Sequence, residues 1–194
     1  MTQRPRLGSL TGPAHSAYGE RMPSPLGHAL GGMIVGLLGG QRSPRSTTTL
    51  KTLLSAPAVL MASAAAVAPD LDFLWGRHNM ETHSLGAAAL AAVAVLLWTR
   101  GRGVRLAVIV GLAWSSHVLF DWLGSDTTPP LGVMALWPFS NAFYFADAFV
   151  FDAISRRTQL PNFWSHNLWA VTKEAALLAP GVAVAAWWTL RRRL

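Results

Sequence analysis

Residues 105–123 read RLAVIVGLAWSSHVLFDWL. Nothing between Arg105 and Asp121 carries a formal charge, and the run is long enough to cross a bilayer, which takes about 20 apolar residues. Two residues near its end make it more than an inert span. His117 and Asp121 are spaced i, i+4, so on a helix they share one face. They can bind one cation together, or hydrogen-bond as glue between helices.

Working outward, four more apolar runs occupy residues 26–40, 53–69, 83–98 and 175–190. The ligand-type residues fall at their ends. His28 opens the first run, Asp70 and Asp72 close the second, and His78 and His83 open the third. If each run crosses a bilayer, all of these arrive at one membrane face, together with His117 and Asp121. Ionisable residues are costly next to lipid and mark function there. The reading is an all-α, multi-pass membrane bundle of about five apolar helices. A soluble bundle of Ala-rich buried helices is the alternative.

Composition agrees with the membrane reading. Hydrophobic residues make up 52% of the 194 and charged ones 13%, against roughly 25% in average soluble domains. Mean hydropathy is +0.33. The net charge of +7 raises the question of nucleic acid, but the cations cluster at the ends of apolar runs and form no binding face. No specific nucleic-acid signal is present. Cysteine is absent, which excludes disulfides and thiolate metal ligands. Residues 1–22 contain Arg4, Arg6, Pro13 and Gly19 with no apolar stretch, which is unlike a signal peptide. They read as a disordered tail, and Met22 is a candidate alternative start. Residues 23–194 read as one domain.

The basic residues set the topology. Arg42, Arg45 and Lys51 follow run one, Arg100, Arg102 and Arg105 follow run three, and Arg191, Arg192 and Arg193 follow run five. With five spans these share one side, which the positive-inside rule makes cytoplasmic. The ligand-bearing ends are then extracytoplasmic. Residues 124–174 are too long for a plain loop. Their apolar middle, 143–154, with Asp147 and Asp152, predicts an interfacial helix or re-entrant piece.

Three further elements complete the candidate site. In Pro69-Asp70-Leu71-Asp72 two acids at i, i+2 point the same way if the chain is extended, and two oxygens on one side suit a divalent metal. In His78-Asn79-Met80-Glu81-Thr82-His83-Ser84 two histidines bracket a glutamate, and Thr82 is a candidate N-cap for the helix that follows. His28 is the fourth element. Each alone has an ordinary structural explanation. One metal site explains all four together.

These pieces resemble the YdjM family of membrane-bound, metal-dependent hydrolases. The resemblance rests on Gly27-His28, Pro69-Asp70-Leu71-Asp72, the block from His78 to Ser84, and Ser116-His117-Val118-Leu119-Phe120-Asp121. Leu136-Trp137-Pro138-Phe139 and Phe151-Asp152 match further downstream. The family block between the two histidines usually reads Arg-Gly-Phe/Pro-Thr, where this chain has Asn79-Met80-Glu81-Thr82. The motif order also looks like that of zinc-dependent phospholipase C and the related single-strand nucleases. A second His-x-x-x-Glu helix, which those enzymes use for further metal, has no counterpart, since His166 and Glu174 are eight apart.

The resemblance implies an inner-membrane hydrolase of phosphoesters, with a lipid substrate in view because the site lies near headgroups. Asp72, His83, His117 and Asp121 are the first-choice ligands, and His28 and Asp70 complete a second position. The metal is zinc first, with manganese as the other candidate. Glu81, His78 or Asp152 acts as general base or orients a ligand. A metal or proton transporter and a non-catalytic bundle stapled by metal are the competing classes.

Overall fold

A computed structural model describes residues 23–40, 49–126 and 129–192. The tail 1–22, Arg42, Arg45 and Arg193 lie outside the described residues. Six α-helices are present: α1 (Pro25–Gly39), α2 (Leu50–Leu54), α3 (Pro57–Val67), α4 (Leu85–Trp98), α5 (Val104–Trp122) and α6 (Phe163–Arg191). A 3-10 segment, Ala68–Trp75, continues α3. Among the described residues sheet-like pairing is confined to isolated bridges, Gly124 with Phe151 and Val133 with Tyr144 among them. The chain is an all-helical bundle, as its sequence predicts.

Three helical segments, Pro57–Trp75, Val104–Trp122 and Phe163–Arg191, are long and apolar enough to cross a membrane. Helices α1 and α4 are apolar but shorter, at 15 and 14 residues. The outer surface carries Leu90, Leu97, Trp98, Val184, Trp187 and Trp188, all well exposed. The interior instead holds small residues such as Ala62, Ala66 and Ala113, together with His28, Asp72, His83, His117, Asp121 and Glu174. Large apolar groups outside and polar groups inside are the reverse of a water-soluble core. They suit a lipid surround.

Helix α1 packs against α3, α5 and α6, and α5 also packs against α3 and α4. Ser24 caps α1 by accepting from the Gly27 N–H at 3.1 Å, and Pro25 starts the helix, where its missing N–H costs nothing. The α1–α3 seam is made of glycine and alanine. A Cβ at Gly36 would lie 2.6 Å from Val59 Cα, and one at Gly32 would strike the Ala62 carbonyl. This close approach lets van der Waals contact hold helices together where lipid supplies no hydrophobic drive.

The helix ends sort as the charge pattern predicts. Arg105, at the start of α5, donates to the carbonyls of Gly39 and Gly40 at the end of α1. Thr189, near the end of α6, donates to Leu37 O at 2.9 Å. Arg105 and the Arg191–Arg192 pair therefore share one end of the bundle. His28 and Asp121 meet at the other, 3.2 Å apart.

Four local expectations are corrected. Asp70 and Asp72 lie in a 3-10 segment, not an extended one, so they diverge and flank His83 from two sides. The cap of α4 is Ser84, which accepts from the Ala87 N–H at 2.9 Å. Thr82 instead donates to Asp72 Oδ2 at 2.6 Å. Residues 143–154 form no helix. Their N–H groups bond outward, Ala146 to Trp122 O and Val150 to Leu123 O, each at 2.9 Å, and Val133 pairs with Tyr144. Finally, α6 starts at Phe163, well before the apolar run at 175, because Lys173 and Glu174 break the hydropathy without breaking the helix.

Gly32→Ala should destabilise the protein by about 1–3 kcal/mol, the usual cost of overpacking. Gly181→Ala, whose nearest neighbour is the flexible end of Ile34 at 3.0 Å, should be close to neutral. Thermal unfolding of both variants in one detergent checks the difference.

Candidate metal centre

Helix α5 delivers His117 and Asp121 inward from one face. His117 Nε2 lies 2.9 Å from Asp121 Oδ2. Its other nitrogen, Nδ1, is 2.7 Å from the Ala66 carbonyl at the end of α3. A carbonyl only accepts, so Nδ1 carries the proton and Nε2 presents its lone pair inward. His28 reaches the same carboxylate from α1, with Nε2 at 3.2 Å from Asp121 Oδ1, and its ring stacks on His117 at 3.8 Å.

His83 arrives from the segment between the 3-10 turn and α4. Its Nδ1 lies 3.0 Å from Asp72 Oδ2, and its Nε2 lies 3.3 Å from Asp121 Oδ2 and 3.7 Å from Asp70 Oδ1. Asp72 also takes His78 Nδ1 at 2.8 Å and the Thr82 hydroxyl. Both of its oxygens are committed to orienting neighbours. The segment is pinned from above by the long connection, through Met134 N–H to Asn79 O at 3.1 Å and Leu85 N–H to Ala135 O at 2.9 Å. Asn79 turns the chain there with a φ of 67°, a conformation asparagine tolerates better than most residues. The Trp114 indole holds Thr82 O at 2.8 Å.

The innermost atoms are left without partners. His28 Nδ1 and Nε2, His83 Nε2, His117 Nε2 and both Asp121 oxygens are buried and make no hydrogen bond. His83 and His117 nonetheless sit within 3.3 Å of Asp121. Buried polar groups are almost always bonded, so a cluster of orphaned imidazole and carboxylate atoms fits a bound cation. Two groups of three qualify by mutual distance: His28, His117 and Asp121, and Asp70, His78 and His83, each offering ligand atoms within 4.8 Å of one another. The first is wholly buried, while Asp70 keeps 14% of its side chain exposed.

The charges around these rings are acidic: Asp72 and Asp121 approach the buried His83 ring at 3.0 and 3.3 Å. Burial lowers the pKa of His78 against the pull of Asp72, which leaves it neutral at pH 7 with an unpartnered Nε2.

Of the residues singled out by sequence, His28, Asp70, Asp72, His78, His83, His117 and Asp121 come together. Glu81 and Asp152 do not join them. Glu81 pairs with Arg77 at the surface, and its own backbone N–H, with Arg77, holds its pKa low. Asp152 pairs with Lys173 of α6 at 2.9 Å, both about one-third exposed. Glu174, which the sequence offers only at the wrong spacing from His166 for a metal pair, is fully buried and accepts from Ser24. Its one signal in the sequence is an acid beside an apolar run.

No curated protein and no solved structure matches the chain. The model of one family does: that of the YdjM inner membrane protein, over residues 22–192. That match takes in every element of the bundle and each residue of the centre, and the chain belongs to the YdjM inner membrane protein family.

Proposed function

We propose that this protein is a metal-dependent hydrolase of the membrane, acting on a phosphoester, with a lipid headgroup as the favoured source. The observation that carries the reading is the set of orphaned imidazole and carboxylate atoms around Asp121. His28, His117 and Asp121 form the first cation position. His83 and Asp70 form a second, adjoining one. Asp72 is assigned an orienting role rather than a ligand's, since its oxygens serve His78, His83 and Thr82. A carboxylate or carbonyl behind each metal-facing imidazole is the usual support for such ligands. Imidazole and carboxylate together suit zinc, and manganese less well.

A divalent cation in this set supplies Lewis acidity and hydroxide near neutral pH. The chain's own proton acceptor is His78. Its Nδ1 donates to Asp72, which leaves Nε2 basic, and it is neutral at pH 7. A positioned base of this kind contributes about 10²–10⁴-fold. Glu81 and Asp152 are each engaged by a cation elsewhere, which argues against them as the base.

Complete burial of His28, His83 and His117 also fits a closed, purely structural metal. An open coordination position separates the two readings, and Asp70 marks where it would lie.

Metal content and hydrolysis decide between them. His117→Ala and Asp121→Ala should each lose bound zinc and all hydrolysis of phosphodiester and phospholipid substrates, with membrane insertion intact. His78→Gln should keep its metal and lose about 10²–10⁴ in kcat. A wild-type protein that holds zinc tightly yet cleaves no member of the panel is a metal-stapled bundle.

Sidedness gives a separate expectation. The basic residues Arg100, Arg102, Arg105, Arg191 and Arg192 lie opposite the centre, and short basic loops face the cytoplasm. The centre is then extracytoplasmic. The chain has no native cysteine. Arg77→Cys should react with an impermeant thiol reagent in intact spheroplasts, and Arg102→Cys only after lysis. The opposite pattern puts the centre on the cytoplasmic side.

A further inference from the structure

Helix α6 contributes nothing to the ligand set, yet it carries a carboxylate buried as completely as those of the centre. Glu174 is 0% exposed. Its Oε1 accepts from the Ser24 N–H at 2.7 Å, and its Oε2 accepts from the Ser24 hydroxyl. The same hydroxyl oxygen accepts from the Gly27 N–H at 3.1 Å, and the His28 N–H donates to the Ser24 carbonyl at 3.2 Å. Two bonds from Glu174 to Ser24, and two from Ser24 to the first turn, thus join α6 to the backbone of His28. The carboxylate also fills the space beside Gly27, where a Cβ would lie 2.8 Å from Oε2. Glycine at 27 lets Glu174 reach into the first turn of α1.

His28 needs this anchorage. His83 and His117 are each held through Nδ1, by Asp72 and by the Ala66 carbonyl. His28 has no such support: neither ring nitrogen makes a hydrogen bond. Its ring direction is set by stacking on His117 at 3.8 Å and by the backbone it hangs from. The first turn of α1 is therefore its orienting element, and that turn is fixed by Glu174.

We propose that Glu174 is a positioning residue of the metal centre, acting through Ser24 to hold His28 toward Asp121. The proposal rests on the metal-centre reading. It makes α6 part of the site's machinery although neither ligand group includes an α6 residue.

The test uses full-length protein purified in detergent, stripped and titrated with Co²⁺, read by visible absorption. Glu174→Ala should weaken Co²⁺ binding by about 10–100-fold, the usual cost of removing an outer support of a ligand, and should alter the visible bands. Ser24→Ala, which removes only the hydroxyl, should move both readouts in the same direction, and it carries the test if Glu174→Ala does not fold. Glu174→Gln keeps the shape and one carbonyl acceptor and should restore most of the affinity. Variants with wild-type bands and affinity but a lower Tm would make Glu174 plain helix glue and overturn the proposal. Wild-type protein that takes up no Co²⁺ would instead overturn the metal-centre reading on which it rests.

Discussion

The carboxylates of Asp70, Asp72 and Asp121, inside an apolar bundle, form the constraint that the rest of this structure answers. Asp72 and Asp121 are buried, and Asp70 is nearly so. Taking an ionised carboxylate out of water costs several kcal/mol even after relaxation, and the cost must be met by opposite charge and hydrogen bonds. The chain meets it by bringing histidines from α1, α5 and the segment before α4 around Asp121, and two histidines and a hydroxyl around Asp72. What they leave uncompensated is a set of imidazole and carboxylate atoms without hydrogen bonds, and a divalent cation among them would meet that need.

The packing serves that convergence. His28 can touch Asp121 only if α1 lies close to α5, and α1 is the most glycine-rich helix of the bundle, with Gly27, Gly31, Gly32 and Gly36 all buried. A Cβ at Gly31 would overlap the Phe120 ring, 2.6 Å away. Small residues thus do two jobs along one helix. Against α3 they allow backbone contact, and against α5 they bring an imidazole to a carboxylate. The bulky groups displaced from the interior face outward, where lipid accepts them at no cost.

The sequence shows the parts of this arrangement that depend on period and length. Apolar runs give the helices, and the i, i+4 pair His117 and Asp121 gives an inward polar face. The alternation of Arg clusters with acids and histidines gives the two ends. Less legible are features set by a partner distant in the chain. The contacts of both Asp72 oxygens with His78, His83 and Thr82 are of this kind, and so is the pairing of Asp152 with Lys173. Residues 143–154 have the composition of an interfacial helix, but their N–H groups are taken by carbonyls at the end of α5. Thr82 and Ser84 are equally good caps by composition, and the nearby carboxylate of Asp72 decides between them by drawing Thr82 away. Glu174 is the extreme case, since its partner Ser24 lies 150 residues earlier.

Two helices of the bundle are short for a membrane. At 1.5 Å per residue, the 15 residues of α1 and the 14 of α4 are about 22 Å long, while the hydrocarbon core is about 30 Å thick. Neither helix alone matches that thickness. Irregular backbone at membrane depth is tolerated only where protein covers it. The covering is visible: residues 129–155 fold over the histidine segment and the end of α5, with Phe151 tucked 5.0 Å from Phe120, and the first turns of α6 run on past the level of Ser24. The long connection is therefore the outer wall of the site. Asp70, the least buried of the inner carboxylates, marks the side on which that wall is thinnest.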